Sequence, residues 1–142
     1  EIGIIFAPAK KRLFYSYHEG MSFEISDNKE KKLDCKKISK KGEVKAVSYS
    51  NTLKPQIEDW YKKFNVTEHV KMKSSLKFCV IASGEYDIYV AEPRACEWDI
   101  AAGHAIVKHA GGLITDFDNN EILYGKKDFK NPSLILKRSN KL

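Results

Sequence analysis

The stretch Glu97-Trp98-Asp99-Ile100-Ala101-Ala102-Gly103-His104-Ala105, closed a few residues later by Ala110-Gly111-Gly112, decides the fold. Ala101, Ala102, Ala105 and Ile106 recur at helical spacing, and the glycine pair follows at once. A helix over residues 99–109 with a glycine C-cap is therefore predicted. Its small residues allow a neighbouring element to approach closely. Asp99, at its start, has two readings from residue type. It can be a plain N-cap accepting a hydrogen bond from the amide of Ala101 or Ala102, or it can ligate a hard divalent cation. The helix N-terminus also supplies positive potential suited to a phosphate.

Outward from this helix the chain alternates strand and helix. Residues 44–49 alternate apolar and polar as a half-buried strand does, and Leu53, Ile57, Trp60, Tyr61 and Phe64 then fall at helical spacing, with Pro55 tolerated in the first turn. Residues 66–73 read as a strand, 74–83 as a buried helix and 86–91 as a short strand, with 113–117 and 134–137 as the final strands. This is an α/β pattern. Residues 1–42 lack that rhythm: 2–6 and 13–17 read as a hairpin, 18–20 as a break, 21–25 as a further strand, and the lysine-rich 27–42 as an exposed loop or weak edge strand. The expected organisation is a remnant of an N-terminal α+β domain over 1–42 and a C-terminal α/β domain over 43–142. The few N-terminal strands have open edges, and the chain opens on Glu1 directly into an apolar run. A missing N-terminal segment is the expectation.

The 142 residues are 42% hydrophobic, 31% charged and 11% aromatic, which suits one ordinary globular core and argues against disorder. No apolar run has the length of a bilayer span, so a cytoplasmic protein is expected, a peripheral position at the inner membrane face included. Cys35, Cys79 and Cys96 fit neither a disulfide framework nor a zinc site and read as reduced thiols. His104 and His109 are five apart, off the spacing that brings two ligands to one helix face. The net charge of +6 comes largely from lysines between Lys10 and Lys45. No aromatic residues interleave with them in 29–41, which disfavours a nucleic-acid surface. The field still attracts a small polyanion.

The W-D-x-A-A-G stretch with its following A-G-G resembles the second signature of the inositol monophosphatase superfamily. The likeness extends along the chain and points to its 3′(2′),5′-bisphosphate nucleotidase branch. Residues 3–15 are similar to that branch's apolar hairpin ending in a tyrosine, and Glu19-Gly20 to the acidic residue and glycine that come next. Ser48-Tyr49-Ser50-Asn51 is similar to its S-R-S-H segment, with tyrosine for arginine and asparagine for histidine. Ser74-Ser75-Leu76-Lys77-Phe78 matches its S-S-L-K-F helix start.

The resemblance implies an inositol monophosphatase-like α/β sandwich, Mg2+ as cofactor and hydrolysis of the 3′ phosphate of adenosine 3′,5′-bisphosphate or its sulfated relative. It implies Asp99 as a ligand of the second metal, Lys77 and Arg94 at substrate phosphate, and Ser48, Ser50 and Ser75 facing the nucleotide. Residue type alone allows equally a helix cap at Ser75 and solvated cations at Lys77 and Arg94. Glu92 falls where inositol-specific relatives place a hydroxyl-binding glutamate, which keeps an inositol or sugar monophosphatase open. The first family signature, D-P-[IL]-D-G-T, has no counterpart in these residues. Since two-metal hydrolysis needs several carboxylates, the chain alone is expected to be inactive. The partners expected are a small phosphorylated nucleotide and the missing N-terminal half, with a homodimer admitted. A non-catalytic remnant or subunit of a split protein is the reading from a different class.

Overall fold

The computed structural model describes residues 1–36 and 42–142. Four antiparallel strands open the chain: β1 (Gly3–Ala7), β2 (Arg12–His18), β3 (Met21–Ser26) and β4 (Lys29–Lys32), paired in sequence order. Local chemistry turns each corner. Pro8 begins a single 3-10 turn that ends on left-handed Lys11, and Gly20 takes φ +70° between β2 and β3. Asp27 and Asn28 both have positive φ and join β3 to β4 with Ser26 opposite Lys29, the geometry of a two-residue hairpin loop. The lysine-rich stretch thus supplies a real edge strand at 29–32. Its continuation at 37–41 lies outside the described residues.

The second sheet holds β5 (Val44–Ser48), β6 (Val66–Lys71), β7 (Ile88–Ala91), β8 (Leu113–Thr115) and β9 (Leu134–Lys137), in the order β6-β5-β7-β9-β8. β5 runs parallel to both β6 and β7, and β9 is antiparallel to β7 and β8. Three helices connect these strands: α1 (Pro55–Lys63), α2 (Leu76–Ala82) and α3 (Glu97–His109). Pro55 occupies the first turn of α1, where its missing N–H costs nothing.

Side-chain alternation on the second sheet sorts the helices. Ala46, Ile88, Val90 and Ile135 face α1 through Ile57 and Tyr61, while Val47, Tyr89, Ala91, Leu134 and Leu136 join the core formed with α2 and α3. Phe14, Leu33 and Cys35 belong to that same core. The layers therefore run first sheet, α2 with α3, second sheet, α1, in agreement with the expected α/β sandwich.

Small residues set the spacing of these layers. A Cβ on Gly103 would lie 2.4 Å from Cγ of Phe78 in α2, and one on Gly3 would lie 2.4 Å from the Ala102 carbonyl oxygen in α3. The helix ends as its glycines require. Gly111 takes φ +92° and donates to the Lys108 carbonyl, and Gly112 donates to Val107, completing a Schellman cap.

The inward face of the first sheet carries Phe14, Ser16, Ser22 and Glu24. Ser22 donates to the Ile106 carbonyl of α3 at 3.0 Å. The outward face is apolar. Ile4 and Phe6 are 62% and 61% exposed, and Tyr15, Tyr17 and Phe23 stack on one another at 5.2–6.4 Å. The three cysteines are free, and burial pushes the Cys35 thiol up to about 11 and that of Cys79 to about 12. Among the described residues no helix is long and apolar enough to cross a membrane.

Candidate active site

The connection from β5 through α1 to β6 lies on one face of the second sheet, and that from β6 through α2 to β7 lies on the other. Strand order reverses at β5, and in such sheets ligands bind in the crevice outside the carboxyl ends of the strands, at the switch point. A cleft of about 760 Å³ opens there. Tyr49 and Ser50 enter it from the end of β5, Lys71 and Lys73 from the end of β6, and Ser75 and Lys77 from the start of α2. Arg94, from the loop after β7, and Trp98 and Asp99, from the first turn of α3, complete the charged and aromatic lining.

Helix α3 starts at Glu97, two residues before the expected position, so Asp99 is its third residue. Its Oδ2 accepts a hydrogen bond from the Cys96 amide at 2.8 Å and closes a capping box. This replaces the anticipated cap onto Ala101 or Ala102. Glu97 holds the neighbouring loop instead of the cleft. It pairs with the Lys126 ammonium at 2.7 Å and accepts from the Gly125 and Lys126 amides, contacts that hold its carboxyl down at about 2.

Lys77 is only 8% exposed. Its Nζ donates to the Ser74 carbonyl at 2.8 Å and sits 5.1 Å from the Tyr89 ring centroid. Burial, and then the charge of Arg94, lower its pKa to about 8. The Arg94 guanidinium lies 3.8 Å over the ring of Tyr49, the residue that stands where the resembled segment has arginine. Ser75 lines the cleft and makes no side-chain cap bond, while the neighbouring Ser74 hydroxyl accepts from the Leu76 amide. Ser50 donates its amide to the Ser48 hydroxyl at 3.2 Å.

Ser50, Ser75, Lys77, Arg94 and Asp99 are thus brought together. Ser48 is buried behind Ser50 and does not line the cleft, and Glu92 lies outside it with its carboxylate paired to Lys54. Sequence reasoning missed Lys71, Lys73, Tyr49 and Trp98 as lining residues. The available signal was the alternation Lys71-Met72-Lys73 at the end of a strand, which puts both lysines on one face. Trp98, 67% exposed, stands beside Phe129 with ring centroids 5.8 Å apart.

Magnesium requires several oxygen donors in near-octahedral array. Among the described residues no three His, Cys, Asp or Glu side chains converge, and Asp99 is the one carboxylate lining the cleft. These residues alone do not make a magnesium site.

A model of the inositol monophosphatase family matches residues 1–141. The chain belongs to that family. Among its relatives, the 3′(2′),5′-bisphosphate nucleotidase CysQ of Buchnera aphidicola is 34% identical over 124 residues, 87% of this chain and 45% of the relative. CysQ of Salmonella typhimurium is 26% identical over 132 residues, 92% of this chain and 52% of the relative. Of solved structures, CysQ from Bacteroides thetaiotaomicron, described as a bacterial member of the family, superposes with TM-score 0.78 at 27% identity. It covers 96% of this chain and 57% of that one. A Pyrococcus horikoshii protein with similarities to inositol-1 monophosphatase shares the fold at TM-score 0.75 and 20% identity, over 99% of this chain and 53% of that one. This member of the family spans about half the length of the relatives it matches.

Proposed function

We propose that the chain supplies the phosphate-binding part of a magnesium-dependent, cytoplasmic 3′(2′),5′-bisphosphate nucleotidase. One observation carries this reading: the switch-point cleft gathers four cations, Lys71, Lys73, Lys77 and Arg94, against a single carboxylate, in a chain whose relatives include bisphosphate nucleotidases. A low-dielectric cleft of one sign concentrates anions. Lys77 and Arg94 hold phosphate oxygens, Arg94 through the planar fork of its guanidinium, and neutralise charge there. Ser50 and Ser75 orient the nucleotide, with Ser48 fixing Ser50 from behind. The reaction is hydrolysis of the 3′ phosphomonoester, which gives AMP and inorganic phosphate.

The metal belongs to the longer protein. Asp99 contributes one donor, and a stretch equivalent to the rest of the relatives' length supplies the other carboxylates. The test is phosphate release from adenosine 3′,5′-bisphosphate with magnesium. The 142-residue chain alone should release none and should bind magnesium weakly. The chain joined to that further stretch should turn over, and Asp99→Asn in the joined protein should cut turnover by at least about a hundredfold with the fold intact. Magnesium-dependent phosphate release by the chain alone, or near-normal turnover by the Asp99→Asn protein, overturns the reading. A joined protein that folds yet hydrolyses nothing indicates the non-catalytic alternative.

A second reading, an inositol or sugar monophosphatase, rests on Glu92, which directly follows β7. Its pairing with Lys54 leaves that carboxylate engaged. A substrate panel at fixed magnesium separates the two.

A further inference from the structure

β8 and β9 are antiparallel neighbours, and a hairpin between such strands needs only about 2–5 residues. The chain spends residues 116–133 on that connection instead. A connection of that length ordinarily has a task of its own. Contacts with α3 set its course. Ile122 is buried in the core with Ile106 and Val107, and the Tyr124 hydroxyl lies 2.8 Å from Nδ1 of His104. The Glu97 carboxylate accepts from the next two amides, that of Gly125 on Oε2 at 3.0 Å and that of Lys126 on Oε1 at 2.9 Å. Further on, Lys130 forms an isolated antiparallel bridge with Cys96, and the Asn131 amide donates to the Ala95 carbonyl. The connection thus lies along α3 and finishes just before its first residue.

We propose that Glu97 is a positioning residue: by fastening this connection to the head of α3, it sets the rotation of the first helical turn and so the direction in which Asp99 meets the cleft. The use of Asp99 in hydrolysis rests on the nucleotidase reading, and the fastening itself does not. Trp98 and Asp99 are exposed, so the first turn is held from its other side, by Glu97 and Ile100. Glu97 is only 7% exposed, and a buried ion pair is a weak source of stability that an apolar side chain of similar volume often replaces. What the carboxylate adds is direction, because both of its oxygens are fixed by backbone amides. Glu97 and His104 are seven residues apart, nearly two full turns, so both grips on the connection fall on one stripe of the helix. Two grips on one stripe fix rotation about the helix axis. Asp99 lies about 200° round the axis from Glu97, on the side that lines the cleft. Its Oδ2 accepts from the Cys96 amide, which makes that amide a reporter of the geometry of the turn.

The experiment is amide hydrogen exchange, read by NMR, on the 142-residue chain as wild type, Glu97→Leu and Glu97→Gln. In the wild type the amides of Gly125, Lys126 and Cys96 should be protected. Glu97→Leu should speed exchange at all three by at least about tenfold, the effect of losing one charge-assisted hydrogen bond, with the β7 amides unchanged. Glu97→Gln keeps an acceptor, loses the charge and should fall between. Where Glu97→Leu fails to fold, seen as lost protection in β7, the same three amides of Glu97→Gln decide. In the protein joined to the further stretch, Glu97→Gln should lower kcat by at least about fivefold and leave KM for adenosine 3′,5′-bisphosphate within about twofold, a split that loss of stability alone does not give. Three results overturn the proposal: free exchange of Gly125 and Lys126 in the wild type, a Cys96 amide that stays protected in a variant that frees the loop, or an unchanged kcat despite faster exchange at Cys96. A joined wild-type protein that hydrolyses nothing, while the three amides respond as expected, overturns the nucleotidase reading and leaves the fastening by Glu97 standing.

Discussion

Lys77 is the residue at which burial and the proposed role at phosphate conflict most directly. Its ammonium is held among Tyr89, the Ser74 carbonyl and the charge of Arg94, and its pKa falls to about 8. The unfolded chain holds this proton more tightly than the folded one, so below pH 8 the charged side chain costs stability. That cost fades as pH rises from 8 towards the ordinary lysine value of about 10.4. Lys77→Met should therefore raise stability at pH 7 by roughly 1–3 kcal/mol, and the gain should shrink by pH 10. Thermal melts at the two pH values check this. The proposed role at phosphate has the opposite need, because only the charged form attracts an anion. Affinity of the wild-type chain for adenosine 3′,5′-bisphosphate should weaken as pH passes through 8, about two units earlier than an ordinary lysine would impose. The Arg94–Tyr49 stack makes a related point. Tyr49 departs from the resembled motif, yet its ring carries a guanidinium to the cleft from a different loop. A residue-by-residue match does not show that substitution of partners.

At the scale of elements, α3 owes its position to what its glycines lack. Gly103→Ala would push a methyl into the Phe78 ring, and overpacking of that kind should cost roughly 1–3 kcal/mol in chemical denaturation. Gly111→Ala instead strains a left-handed cap and meets the flexible Lys36 stem. A smaller loss of about 1 kcal/mol is expected there. Equal losses at the two sites would contradict this account. The helices and parallel strands of the second sheet were legible in the sequence because each has its own periodicity, and Gly111-Gly112 marked the end of α3. β4 was ambiguous because a strand of Lys29, Glu30, Lys31 and Lys32 has no apolar face to announce it. Its signal was the Asp27-Asn28 turn. Lys71 and Lys73 escaped because a strand's sequence fixes which residues share a face and leaves open which face meets a cleft. That depends on β5 lying between β6 and β7, a fact of topology alone.

At the scale of the whole molecule, the division near residue 42 is one of sheet membership, and we propose that it does not separate two folding units. Phe14, Leu33 and Cys35 are buried with α2 and α3 in one core. A chain of residues 43–142 should therefore melt well below the 142-residue chain, or fail to melt cooperatively, by circular dichroism. An independently stable 43–142 would refute the shared core. The outward face of the first sheet bears on how the protein behaves in a tube. Ile4, Phe6, Tyr15, Tyr17 and Phe23 leave an apolar surface in contact with water, while the net charge of +6 keeps copies apart. Those two forces respond differently to salt. The reach of charge repulsion shrinks from about 10 Å at 0.1 M to about 3 Å at 1 M, whereas the apolar attraction persists. Colloidal stability should accordingly fall with added sodium chloride, seen as rising light scattering. Phe6→Lys with Tyr17→Lys should hold the solution clear at concentrations where the parent chain turns cloudy.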